Sequence, residues 1–200
     1  SNLQQVLTAA EKYDTRIQID MEDSSVTDTT LDLYRRLRDE DQFGKRVGIV
    51  LQAYLYRTEA DVQALIQEGA WVRLCKGAYK ESADIAFPDK ADTDANFLHL
   101  AKQMLSEEAR QRGMFPCFAT HDGTLIRAII QFARQNQIDA DAFEFQMLYG
   151  VRRDLQQEIH QQGYRMRIYI PYGTAWYPYF MRRLAERPAN LWFFLANLLK

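Results

Sequence analysis

Short runs of apolar and β-branched residues alternate with longer amphipathic segments along the whole chain. The short runs predict strands over 16–21, 47–54, 71–76, 117–120, 142–148 and 167–170. A weak further strand is predicted within 84–90, around Phe87, where Pro88 limits its length. Apolar positions at helical spacing predict helices over 3–12, 27–38 (with Thr27 or Asp28 as its cap), 59–68, 93–112, 125–136, 154–162, 176–186 and 191–199.

This alternation of strand and helix is typical of βαβ units and a parallel sheet. Two architectures satisfy it, a (βα)8 barrel and a doubly wound open sheet. Neither G-x-G-x-x-G nor G-x-x-x-x-G-K-[ST] follows a predicted strand, which argues against the doubly wound nucleotide-binding alternative. The sequence therefore favours one α/β domain over 1–200, with seven strand–helix units of a distorted or truncated (βα)8 TIM-type barrel.

Composition narrows the classes of function. The chain is 47% hydrophobic and 26% charged, values that exclude a disordered or coiled-coil protein. Its net charge of −2 argues against nucleic-acid binding through bulk charge. The sequence has neither a long uninterrupted apolar run nor a signal-peptide pattern, so we expect a cytoplasmic protein. Cys75 and Cys117 are predicted to be reduced core thiols, and three dispersed histidines predict no metal site.

Polar side chains occur at the ends of six predicted strands, which in a barrel meet at the active-site face. They are Asp20 with Glu22, Gln52, Arg73 with Lys76, Thr120 with His121, Gln146 and Tyr169. Each has a structural alternative, such as a helix-capping carboxylate, a buried ion pair or a loop histidine. Together they indicate a convergent site.

Two glutamines at strand ends are the hardest to explain structurally. A buried amide needs partners for its donors and its acceptor, and a heteroaromatic ligand would supply both. Gly77 and Gly150 would let such a ligand approach the backbone. Arg73 and Lys76 would suit its phosphate.

A second cluster lies in the aromatic and basic segment 176–187. Arg182 and Arg183 are adjacent, and one bidentate arginine makes a good carboxylate clamp. The alternative is a solvated basic face in which Glu186 pairs with Arg183. The density of aromatic residues favours a helix that lies over a site.

Five ordered motifs resemble the proline dehydrogenase family, and its short monofunctional bacterial form most closely. They are Leu51-Gln52-Ala53-Tyr54, Arg73-Leu74-Cys75-Lys76-Gly77-Ala78-Tyr79, Ala119-Thr120-His121, Glu144-Phe145-Gln146-Met147-Leu148-Tyr149-Gly150 and Arg182-Arg183-Leu184-Ala185-Glu186-Arg187. The resemblance runs from about residue 16 to residue 190. It implies a (βα)8 barrel that holds FAD and oxidises L-proline to Δ1-pyrroline-5-carboxylate. Hydride would pass from proline C5 to the flavin N5, and electrons would pass on to a quinone at the inner face of the membrane.

The resemblance also assigns roles by position. Arg73 and Asp20 would be catalytic. The FAD contacts would be Gln52, Arg73, Lys76, Gly77, Ala78, Lys90, Thr120, His121 and Gln146. The proline contacts would be Arg182, Arg183, Tyr79, Leu148, Tyr169 and Glu186. Pyrroline-5-carboxylate dehydrogenase is the expected protein partner.

No strand is predicted before Leu3, where the family carries its first barrel strand and a lysine. We therefore expect the barrel to be incomplete at its N-terminus. Two other functions stay open: a (βα)8 enzyme for a phosphorylated substrate, with a phosphate site near 172–174, and a non-catalytic scaffold.

Overall fold

The structure is a computed structural model that describes residues 2–40 and 43–174. Its strands are β1 Ile17–Ile19, β2 Val47–Gln52, β3 Trp71–Cys75, β4 Phe115–Ala119, β5 Glu144–Leu148 and β6 Arg165–Tyr169. Its α-helices are α1 Asn2–Lys12, α2 Thr27–Arg35, α3 Thr58–Gln67, α4 Lys90–Met104, α5 Glu107–Gln111, α6 Gly123–Gln135 and α7 Arg153–Gln161. Short helical turns cover Ser24–Val26, Arg36–Glu40 and Gly44–Arg46.

The sheet order decides between the two predicted architectures. The six strands follow one another in sequence order, β1 to β6, and β1 to β5 pair in parallel. A doubly wound sheet reverses its strand order at a switch point, whereas a barrel does not. The barrel-type prediction is therefore confirmed for the described strands.

The prediction of a seventh strand within 84–90 is wrong. This segment forms turns, and its only ladder contact is one antiparallel bridge between Leu55 and Ala86. Phe87 N–H donates to Tyr54 O (2.8 Å), so the segment is tied to the loop after β2 and not to the sheet. The described residues thus contain six strands, not seven.

Two helix predictions need correction. The predicted helix 93–112 is two helices, because Ser106 caps a new start through a bond from Ala109 N–H (3.2 Å). Neither Thr27 nor Asp28 caps α2, since Asp23 instead caps the short turn before it. Local capping residues, more than apolar periodicity, set these boundaries.

The two faces of the sheet have different chemistry. On the face toward the helices, Val72, Leu74, Phe118, Phe145 and Met147 are buried in the main core. The opposite face carries two aligned rows of side chains. The first row is Val50, Arg73, Cys117 and Glu144, and the second, two residues further along each strand, is Gln52, Cys75, Ala119 and Gln146.

The chain divides into two compact units, residues 1–168 and 169–200. Only 169–174 of the second unit is described, so the predicted helices at 176–186 and 191–199 lie outside the described residues. Among the described helices, none has the length and apolar character needed to cross a membrane.

Candidate active site at the carboxyl edge of the sheet

The predicted cofactor residues of the first unit gather at one edge of the sheet. Gln52 ends β2, Lys76 follows β3, His121 follows β4, and Gln146 lies in the middle of β5, beside Ala119 at the end of β4. Because parallel strands present their carboxyl ends at the same edge, the sheet brings these residues together. A direct contact joins two of the strand ends: Leu148 N–H donates to His121 Nε2 (3.0 Å). The neutral ring therefore carries its proton on Nδ1.

Gln52 has an incomplete set of hydrogen bonds. Its side chain is 3% exposed. Its Nε2 donates to Met21 O at 3.4 Å, a long bond, while its Oε1 is buried and has no hydrogen-bond partner among the described residues. An unsatisfied buried acceptor is costly, so this oxygen marks a place where a ligand donor would be stabilising.

Gln146 is held by an ion pair in the row beside it. Its Nε2 donates to Glu144 Oε1 (2.7 Å). Glu144 is 4% exposed and accepts two bonds from Arg167, at 2.6 and 3.0 Å. Burial raises the pKa of Glu144, but the bonds from Arg167 and Gln146 outweigh it and hold that pKa below its ordinary value. The carboxylate is thus ionised and fixed.

Arg73 lies in the middle of β3, with Nη1 3.5 Å from Asp20 Oδ1. The Asp20 side chain is 76% exposed, so this pair stabilises the fold little. The loop after β3 contacts the loop after β1 at two further points: Tyr79 hydroxyl donates to Glu22, and Ser24 donates through N–H and hydroxyl to Glu81 (2.8 Å each). The two predicted catalytic residues therefore lie beside a pair of joined loops.

Lys76 and Lys90 share two carboxylates. Lys76 Nζ contacts Asp94 and lies 3.0 Å from Asp122 Oδ2, while Lys90 Nζ contacts Asp94 and lies 3.6 Å from Asp122. Burial opposes ionisation of both aspartates, but the lysine contacts outweigh it and lower each pKa. We call these four residues the rim cluster.

Position 77 requires glycine for two reasons, the packing of Tyr54 against it and its positive φ angle. Its φ is +108°, and an added Cβ would lie 2.1 Å from Tyr54 Cδ1. At Gly150 (φ +81°) no atom of the non-adjacent described residues lies within 4 Å of such a Cβ, and the positive φ by itself favours glycine there. Ala78 is exposed, and Thr120 is buried with its hydroxyl accepting from Asp122 N–H (3.1 Å).

Both cysteines are free, and both are poorly reactive. Burial raises the pKa of Cys75 to about 11. Cys117 is buried, its pKa is also raised by burial, and its Sγ accepts from Trp71 Nε1 (3.1 Å). A thiol that stays protonated is a weak nucleophile, so neither cysteine suits covalent catalysis.

Sequence reasoning missed four charged residues of the site: Glu144, Arg167, Asp94 and Asp122. Period-two spacing could have found Glu144, which lies two residues before Gln146 on the same face of β5. Asp122 stands where a helix cap is expected, directly before α6. The predicted Arg182, Arg183 and Glu186 lie outside the described residues, and Tyr169 belongs to the second unit.

Comparison with known proteins identifies the family. Residues 2–194 match the family described as "Proline dehydrogenase". The chain belongs to the proline dehydrogenase family. Over its whole length it is 47% identical to "Proline dehydrogenase 1" of Bacillus subtilis (strain 168) and 44% identical to "Proline dehydrogenase" of Deinococcus radiodurans. It spans 64% and 63% of those proteins, respectively.

The bifunctional relatives are less similar to this chain in sequence than the two proline dehydrogenases above. The "Bifunctional protein PutA" of Escherichia coli (strain K12) is 32% identical over 94% of the chain, which spans 16% of that protein. The solved structure of proline utilization A (PutA) from Bdellovibrio bacteriovorus, inactivated by N-propargylglycine, superposes with a TM-score of 0.83 at 34% identity. That match covers 91% of this chain and 21% of the other. The predicted family resemblance is therefore confirmed.

Proposed function

We propose that this chain carries the flavin site of a proline dehydrogenase that oxidises L-proline to Δ1-pyrroline-5-carboxylate. Family membership supports the reaction class. The observation that carries the flavin is the buried Gln52 Oε1 at the strand-end edge, which has no hydrogen-bond partner within residues 2–40 and 43–174. It calls for a ligand with a hydrogen-bond donor that reaches a nearly closed position, which the edge of a heteroaromatic ring can do.

The residues at this edge fit FAD by their donor and acceptor chemistry. Gln52 and Gln146 would bond the ring edge, and Lys76 and Lys90 are the cations available for the phosphates. Gly77, Ala78, Thr120 and His121 would supply the remaining contacts after β3 and β4. Asp94 and Asp122 already neutralise the lysines, so an anionic ligand would compete with these carboxylates or share the lysines with them.

A bound flavin would supply the hydride acceptor for proline C5. Arg73, which lies beside Asp20, would place a cation next to the ring on the same face as the glutamines. Tyr79, Leu148 and Tyr169 would wall the pyrrolidine ring and orient its C5–H. Arg182 and Arg183 would fix the proline carboxylate, with Glu186 beside them.

Three parts of the proposal concern what lies beyond the site. A quinone as the final electron acceptor, peripheral attachment at the inner face of the membrane, and pyrroline-5-carboxylate dehydrogenase as a partner stay predictions from the family resemblance.

Absorption spectroscopy tests the proposal. The purified protein should carry a flavin spectrum, and anaerobic L-proline should bleach it. A folded protein that stays colourless with added FAD would overturn the cofactor. A flavin spectrum that proline leaves unchanged would overturn the substrate.

The carboxylate clamp has its own test. Arg182→Ala and Arg183→Ala should raise the proline KM, because each removes a contact to the carboxylate. Arg134→Ala, in the last turn of α6, is a matched control that should leave the KM unchanged. An unchanged KM in both clamp variants would contradict the assigned role.

A further inference from the structure

Three side chains in contact, Arg167 on β6 and then Glu144 and Gln146 on β5, end in the amide that is predicted to bind the flavin ring. Arg167 donates to both oxygens of Glu144, and Glu144 accepts from Gln146 Nε2. We propose that Glu144 and Arg167 are positioning residues that fix the orientation of the Gln146 amide and thereby select a ligand edge with a hydrogen-bond donor. The ligand half of this inference rests on the proposed flavin site.

The orientation follows from the chemistry of the partners. An ionised carboxylate only accepts hydrogen bonds, so the arm of the amide that faces Glu144 has to be the NH₂ group. The oxygen is then the other arm of the same planar amide. Because Glu144 is 4% exposed, water has little access through which to compete for this contact.

The guanidinium fixes the carboxylate in turn. Arg167 Nε and Nη2 lie 2.6 and 3.0 Å from the two oxygens of Glu144, a bidentate geometry that leaves the carboxylate one orientation. Arg167 reaches the buried carboxylate from β6, and its own side chain is 59% exposed. The carboxylate of Glu144 is thus oriented by Arg167 on β6, and it in turn orients the amide of Gln146 on β5.

The consequence is a preference at the Gln146 oxygen. A fixed acceptor favours a ligand that offers an N–H, and the pyrimidine edge of an isoalloxazine ring offers one between two carbonyl groups. With glutamine at position 144, either arm of the neighbouring amide could face the contact, and the preference would be lost. Two amides can pair in either sense, whereas an amide and a carboxylate cannot.

The first experiment measures FAD affinity and the flavin absorption spectrum of Glu144→Gln. We expect about a tenfold loss of affinity, the equivalent of one hydrogen bond, with a shift of the flavin bands. Glu68→Gln is the matched control, because Glu68 also accepts from two arginines, at 2.9 Å each, but at the end of α3. Its affinity and spectrum should equal those of the wild type.

Arg167→Lys guards against misfolding of the first variant. It keeps the charge on an exposed position and removes the bidentate geometry, so a smaller change of the same kind is expected. Normal affinity and an unshifted spectrum in both variants would overturn the proposal.

The second experiment needs no flavin. In the ligand-free protein, the two Nε2 protons of Gln146, assigned by their absence in Gln146→Leu, should exchange slowly with solvent. Glu144→Gln should speed that exchange, and Glu68→Gln should not. Fast exchange in the wild type would overturn the fixed orientation. A protein that binds no FAD yet shows the slow exchange would instead overturn the proposed function and the ligand preference, while the positioning pair would stand.

Discussion

Strands β2 and β5 carry the same side chain, glutamine, with two different sets of hydrogen bonds. Gln52 and Gln146 lie in the same row on the same face, and both are buried. Gln146 donates at 2.7 Å to a carboxylate that an arginine fixes. In the part of the chain that the structure describes, Gln52 instead donates one 3.4 Å bond to a main-chain oxygen, and its own oxygen has no partner. One amide is therefore oriented by the protein itself, whereas the other would gain its missing hydrogen bond only from the proposed ligand.

We call Gln146, together with Glu144 and Arg167, the framed half of the site, and we call Gln52 its open half. A fixed group lowers the entropy cost of binding, because less ordering is left to do. An unsatisfied group instead costs stability in the free protein and returns it on binding. The same residue type can thus serve pre-organisation at one strand and binding energy at another.

Loss of the arginine should have the largest effect on the framed half. Arg167→Met leaves Glu144 buried without its cation, and we expect a loss of about 3 kcal/mol in the free energy of unfolding. Urea denaturation measures it. Arg165→Met is the control, because Arg165 lies two residues earlier on β6, is exposed, and has its guanidinium over the ring of Phe115, 5.7 Å from the ring centroid. A loss of about 0.5 kcal/mol is expected for it. Equal losses would show that Glu144 is not supported by Arg167.

The two glutamines should respond to leucine with opposite signs. Gln146→Leu removes the bond to Glu144 and should lower the free energy of unfolding of the ligand-free protein by about 1.5 kcal/mol. Gln52→Leu removes a buried acceptor without a partner and should raise it by about 1 kcal/mol. Both should weaken FAD binding. If both variants destabilise the ligand-free protein equally, the two halves do not differ.

The rim cluster provides a third comparison at the end of β3. The Lys76 side chain is 13% exposed and that of Lys90 is 71% exposed, although both contact Asp94 and Asp122. Lys76→Met should therefore cost about 1 kcal/mol, because the half-buried aspartates lose their inner cation, and Lys90→Met should cost clearly less. Chemical denaturation of the two variants side by side tests the ranking. Equal losses of unfolding free energy in the two variants would mean that the burial of the lysine does not determine its contribution to stability.

The fold was predictable wherever a local signal sets it. The predicted strand 71–76 matches β3 Trp71–Cys75, because apolar residues at alternate positions meet the core whatever the neighbours are. The segment 84–90 was not predictable in this way. Its ordered contacts with Tyr54 and Leu55 come from residues some thirty positions away, and no local pattern encodes them.

The same contrast between local signals and contacts of distant residues applies to the candidate site. Gln52 and Gln146 could be singled out in the sequence because a polar residue within or at the end of an apolar strand stands out. Glu144 and Arg167 were missed because their pairing joins positions 23 residues apart on two strands. Asp94 was missed for the same reason, since its contact with Lys76 links the loop after β3 to a helix.

The smallest expected effect is on acid stability, and it isolates Glu144. Burial opposes its ionisation, but its Arg167 and Gln146 contacts lower its folded pKa below the unfolded value. It therefore adds stability that is present above the unfolded pKa and is lost as pH falls through the folded one. Asp94 and Asp122 have lowered pKa values as well, so every variant should lose stability in acid.

The difference between wild type and Glu144→Gln is then the informative quantity. The stability gap between the two proteins should shrink as pH falls from about 5 to about 3, because only the wild type has this carboxylate to protonate. Urea denaturation at several pH values measures the gap. A gap that stays constant over that range would mean that the Glu144 carboxylate is no better stabilised in the folded protein than in the unfolded chain, and the framed half of the site would lose its electrostatic basis.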